Sequence, residues 1–142
     1  MKAENQADKK VTVYAQHIPD DDFETDTYYP LVIVSLQKVK DAEEIETKPD
    51  ASTATVSITF GVHGFEPDAW VDLLNIMEHV RQRLLTHRTI ANLYRLVLPL
   101  EWETAEVQPY PFWFGYGTAV YSIAQPQEGF PAQFERIEEE YE

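Results

Sequence analysis

Residues 98–123, LPLEWETAEVQPYPFWFGYGTAVYSI, are rich in aromatic side chains and constrain the fold more than any other stretch. At their centre stands Gln108-Pro109-Tyr110-Pro111-Phe112-Trp113-Phe114-Gly115. Two prolines two apart forbid a helix, since each lacks an N–H and restricts the residue before it. In an extended chain Tyr110, Phe112 and Phe114 fall on one face and Trp113 on the other. The segment reads as a kinked approach to a β-strand that is apolar on both faces. Such a strand must be covered on both sides. A helix layer is one cover, and in a chain of 142 residues another subunit is a candidate for the second.

Towards the N-terminus, residues 52–62 (STATVSITFGV) alternate cleanly. Ala54, Val56, Ile58, Phe60 and Val62 share one face, which predicts an antiparallel strand with one side covered. Tyr29-Pro30 opens LVIVSL at 31–36, an apolar β-branched run suited to a buried strand beside it. Residues 37–50 read as a polar loop or hairpin tip, and 11–17 as a short strand. Residues 68–85 give the one clear helix. Trp70, Leu73, Leu74, Met77, Val80 and Leu84 recur at three and four and form its apolar stripe. Residues 89–94 read as a connector, and 95–103 as extended, with Pro99 marking an edge or a bulge. The predicted fold class is α+β, a mostly antiparallel β-sheet packed against one long α-helix. The predicted organisation is a disordered leader at 1–10, a single α+β domain at 11–124 and an acidic C-terminal tail at 125–142. In a helical tail, Phe134, Ile137 and Tyr141 would share one stripe.

The apolar content of 44% and aromatic content of 13% supply a real core and argue against a disordered chain. No apolar run approaches the ~18 residues of a transmembrane helix. The opening MKAENQADKK shows no apolar core of a signal peptide. Absence of cysteine removes disulfides, thiolate catalysis and Cys-based metal sites.

The net charge is −14, with acids gathered at 20–26, 41–50 and 135–142. From His79 to Leu100 there is no Asp or Glu, yet Arg81, Arg83, Arg88 and Arg95 sit there. An acidic chain does not seek the polyanionic nucleic-acid backbone. A basic patch on an acidic body suits another acidic surface, including that of an identical neighbour. The plainer reading is that Arg81 and Arg83 end a helix, where cations complement the dipole.

Chemistry is hard to assemble from these residues. His17, His63, His79 and His87 are scattered, without metal-ligand spacing. His63 follows a strand and precedes Gly64, a plausible place for an active residue. Glu101 and Glu103 share a strand face, as carboxylates on any wet strand do. Ser35 and Ser57 lack a nucleophile elbow, and Gly61/Gly64 and Gly115/Gly117 fit no phosphate loop. The expectation is no enzyme, no cofactor and no metal.

The succession YPLVIVSL, acidic hairpin, TVSITFGVHG, DAWVDLLNIMEHVRQRLL, YRLVLPLEWE, QPYPFWFGYGTAVYSI resembles the tail-terminator and neck proteins of long-tailed bacteriophages and prophages. LLNIMEHVRQRLL, LPLEW and QPYPFWFG are similar to phrases of small neck proteins from phages and prophages of Gram-positive bacteria. The resemblance covers residues 28–123. It implies a small α+β subunit in a ring, a hexamer as a rule, that caps the tail tube and joins it to the head. It implies itself, tail-tube proteins and head-connector proteins as partners, and DNA passing through without specific binding. It implies no membrane, a place in the virion neck or tail, assembly in the host cytoplasm, and no catalytic residues. A head-to-tail ring needs two unlike complementary patches per subunit. The interface candidates are Arg81, Arg83, Arg88 and Arg95 against Glu43, Glu44 and Glu46 of the acidic hairpin, with Tyr110 and Trp113 as aromatic contacts. The competing expectations are an acidic monomeric or dimeric protein-binding module, an adaptor or inhibitor, and an enzyme built on His63.

Overall fold

The computed structural model describes residues 10–19, 26–42 and 51–126. Residues 1–9 of the expected leader at 1–10, the interface candidates Glu43, Glu44 and Glu46, and residues 127–142 of the expected tail at 125–142 lie outside the described residues. Among the described residues six strands, one α-helix and a single 3-10 turn at Asp26–Tyr28 are formed: β1 (Thr12–Ala15), β2 (Leu31–Ala42), β3 (Ala51–His63), α1 (Ala69–Thr86), β4 (Thr89–Ile90), β5 (Tyr94–Thr104) and β6 (Phe112–Ile123). They make one sheet in the order β1-β2-β3-β6-β5-β4. β1 runs parallel to β2, and every other pairing is antiparallel.

The expected fold class, an α+β sheet packed against one long helix, is corrected. The fold is mostly β, a mixed six-stranded sheet curled into a half-barrel with one short helix. Two physical reasons account for the difference. Strands of 11 to 13 residues accumulate twist. Register shifts between Leu36 and Lys38 in β2 and between Val97 and Glu101 in β5, beside Pro99, add to the bend. Coverage is the second reason. A helix is about 10 Å across and strands lie about 4.8 Å apart, so one helix covers roughly two strands. Here α1 lies chiefly over β3 and β6.

The alternation of β3 is realised. Val32, Ile58, Phe60, Val62, Leu73 and Met77 form the core between sheet and helix. A second cluster lies on the opposite face of the sheet from α1, where Ile18, Tyr29, Leu31 and Phe112 pack with Ile33 and Phe114. β6 is thus apolar on both faces, as its sequence implies. At Phe112 and Phe114, however, the second cover is the chain's own segment around Ile18 and Tyr29 rather than another subunit. Gly61 makes this approach feasible: a Cβ there would stand 2.6 Å from a Tyr29 ring carbon and 3.1 Å from one of Phe114.

The helical stripe is rotated from the expected one. Leu73 and Met77 are buried, and Ile76, Val80 and Leu84 pack against the core. Trp70 and Leu74 are 46% and 41% exposed. β2 runs to Ala42, so part of the expected loop is strand. The expected connector at 89–94 holds β4 and a tight turn to β5, closed by Leu93 N–H donating to the Ile90 carbonyl at 2.9 Å. Ala91 and Asn92 both adopt positive φ, 55° and 57°. Asn tolerates this region, but Ala carries a Cβ against the following carbonyl. Ala91→Gly is expected to raise stability by up to about 1 kcal/mol, read as a higher denaturation midpoint.

Candidate functional site

Two apolar features stand out, one at an end of the sheet and one on its concave face. The first is built where the turn after β3 meets the loop before β6. Pro109 and Pro111 keep that loop out of regular structure, and Gln108 substitutes for a strand partner. Its side-chain oxygen accepts from Phe114 N–H at 2.7 Å, and its amide nitrogen donates to the Phe114 carbonyl at 3.0 Å. Gly64 N–H donates to the Pro111 carbonyl at 2.9 Å, joining turn to loop.

Aromatic side chains complete this end. Phe112, His63, Phe65, Tyr110 and Trp113 form a chain of ring contacts with successive centroids 4.9, 5.1, 6.3 and 6.1 Å apart. The Tyr110 hydroxyl donates to the Phe65 carbonyl at 2.6 Å, and Trp113 Nε1 donates to the Gly64 carbonyl at 3.1 Å. Both polar handles are therefore engaged inside the subunit. The solvent-facing surface is apolar: Phe65 is 65% exposed and Tyr110 60%. Val107, in the same loop, is also exposed. Tyr110 does not share the strand face of Phe112 and Phe114, as the sequence led one to expect. It precedes the strand and turns toward Phe65 and Trp113.

Tyr110 and Trp113, both candidates from the sequence, are brought together by the structure, whereas Phe65 was missed. The available signal was a large aromatic in His63-Gly64-Phe65-Glu66-Pro67, a turn where polar residues are the rule.

The arginines do not form one cluster of free charges. Arg81 pairs with Glu78 at 3.0 Å. Arg88 Nε donates to the Leu85 carbonyl at 3.0 Å, closing the helix end. The Arg95 guanidinium reaches Thr89 Oγ1 at 3.4 Å. Arg83 is exposed in the last helical turn. Of the two arginines in the plainer reading, Arg83 stands in the last turn of α1, whereas Arg81 is paired with Glu78 one turn back along the helix.

His63 is held between the rings of Phe65 and Phe112 and does not line the groove beside α1. His17, His79 and His87 are exposed. Among the described residues no three His, Asp or Glu side chains are grouped to hold a metal ion. Among the same residues no helix is long and apolar enough to cross a membrane.

The second feature is a groove of about 780 Å³ between α1 and the sheet, lined from β1 and β2 through β3 and β6 to Ile90 and Tyr94. Its walls are almost wholly aliphatic, with Asp72, Asn75 and His79 contributed by the helix. Tyr121 lies at one end, and its burial pushes the phenol above its ordinary value near 10. As pH rises past that value the unfolded phenol ionises first, while the folded one keeps its proton. Stability from this group is then unchanged below about pH 10 and falls above it. Tyr121→Phe is expected to flatten that alkaline decline, measured as denaturation midpoints against pH.

The chain matches no known protein family and no curated protein.

Proposed function

We propose that this chain is a structural subunit of the neck of a long-tailed phage or prophage, a tail terminator. In this reading it forms a ring that caps the tail tube and joins it to the head, and it carries out no catalysis. The observation that carries the reading is the aromatic end of the sheet. Phe65 and Tyr110 expose their rings while the Tyr110 hydroxyl and the Trp113 indole N–H are engaged on the subunit's own backbone. A surface of rigid aromatics without free polar groups suits burial against protein, since such rings are enriched at interface centres. The resemblance of residues 28–123 to neck proteins supports the same reading. So does the charge: a body of net −14 repels phosphate and lets DNA pass unheld.

Charge segregation gives the ring its direction. α1 ends, β6 ends and the β4–β5 turn lies at the same end of the sheet as Ala42 and Ala51, which flank the acidic sequence 43–50. Arg88 and Arg95 belong to the β5–β4 side of that end, Arg81 and Arg83 to α1 over β3 and β6, and Ala42 and Ala51 to the β2–β3 side. Neighbours in a head-to-tail ring would bring these unlike sides together. Exposed ion pairs are worth only about 0–1 kcal/mol each, so they set register while aromatic burial supplies affinity. Sedimentation of the purified chain tests this. A discrete oligomer is expected, and Arg83→Glu with Arg95→Glu should weaken it at low salt and much less at high salt. A compact monomer under all conditions would favour an adaptor or inhibitor instead.

A further inference from the structure

The groove beside α1 spans the helix from Asp72 to Leu84, about 18 Å at helical rise. Leu84 packs with Tyr121, and Ile123 lines the same end of the groove. Beyond Ile123 the chain is drawn to the groove side of the sheet. The Gln125 amide nitrogen lies within hydrogen-bond distance of Ser52 Oγ, at 2.9 Å, and of the Ala42 and Ala51 carbonyls, both at 3.3 Å, among which it shares its two N–H donors. The Gln125 side chain thus reaches across the end of β3 to the end of β2.

Residues 127–142 read QEGFPAQFERIEEEYE. Phe130, Phe134, Ile137 and Tyr141 recur at four, three and four, the spacing of a helical stripe. Pro131 stands where a first helical residue suits proline. Glu135, Glu138, Glu139 and Glu142 fall off the stripe. A helix from Pro131 to Glu142 would be about 18 Å long, the length of the groove. A helix so short is marginal alone and needs a surface for its apolar face.

We propose that residues 127–142 of the same chain dock in this groove, antiparallel to α1. Their stripe meets the aliphatic walls, and their acids face water. A second helix would double the roughly two strands that α1 covers. The short tether from Gln125 favours the chain's own segment over another copy's, because it makes docking intramolecular.

The absence of cysteine makes the test clean. Val34 lines the groove near its middle. In the full chain carrying Val34→Cys and Ile137→Cys, mild oxidation is expected to give a disulfide within one chain, identified by peptide mapping. No disulfide, or one only between chains, would overturn the proposal. Because the readout lies within one chain, it is independent of ring assembly. A second measurement needs no cysteine. A chain stopped after Pro126 is expected to bind a hydrophobic dye severalfold more than the full chain, and added 127–142 peptide should reverse this. Equal dye binding by the two chains would overturn the proposal as well.

Discussion

Phe60→Ala is expected to cost about 3–5 kcal/mol, a large fraction of the stability of a domain this size. Phe60 is fully buried at the centre of β3, in the cluster that joins Val32, Ile58 and Val62 to Leu73 and Met77. Its ring lies 5.9 Å from that of Trp102, so truncation also removes an aromatic contact to β5. Val32, Ile58 and Val62 among its neighbours are strand residues fixed by ladders on both sides, which limits collapse into the cavity. Leu73→Ala, on the facing helix, should cost about 2–5 kcal/mol. Leu74→Ala, one position along but 41% exposed, should cost far less. Chemical denaturation of the three variants measures all of this. Equal losses at Leu73 and Leu74 would contradict the observed rotation of α1.

The other large effect is on assembly. Phe65→Asp with Tyr110→Ala is expected to leave the chain folded and monomeric. Hot-spot aromatics cost about 2 kcal/mol or more each when truncated, and 1.4 kcal/mol is tenfold in affinity. Losing both should therefore raise the dissociation constant by at least about a hundredfold. Both side chains are more than half exposed in the subunit, so their loss should hardly move the melting temperature. The Tyr110 hydroxyl bond to Phe65 is the exception. Tyr110→Phe isolates it, and that variant should assemble nearly as well as the parent. If Phe65→Asp with Tyr110→Ala assembles like the parent, the aromatic end is not an interface.

The elements that could be read from the sequence are those with an unambiguous period. The β3 alternation placed Ile58, Phe60 and Val62 on the core side, and the helix at 68–85 differs by one residue at each end from Ala69–Thr86. The helix face was harder, because apolar residues flank the true stripe on both sides. Trp70 and Leu74 competed with Ala69 and Ile76, and only the tertiary contacts choose between them. β1 could not be placed, since a four-residue strand pairing parallel to β2 leaves no local turn signal. Periodicity also says which face a helix buries, not how many strands it covers. The half-barrel and its open groove were therefore invisible. At the aromatic end, composition drew attention to Tyr110 and Trp113. Phe65 lies 45 residues from Tyr110, and only the fold brings them together.

Closure into a ring has a plain signature in the mass of the intact chain in solution. Native mass spectrometry across a dilution series should show a closed species of six times the 16.4 kDa chain. That species should give way to monomer on dilution without a ladder of larger forms. A chain that remains monomeric or dimeric at every concentration would contradict ring assembly.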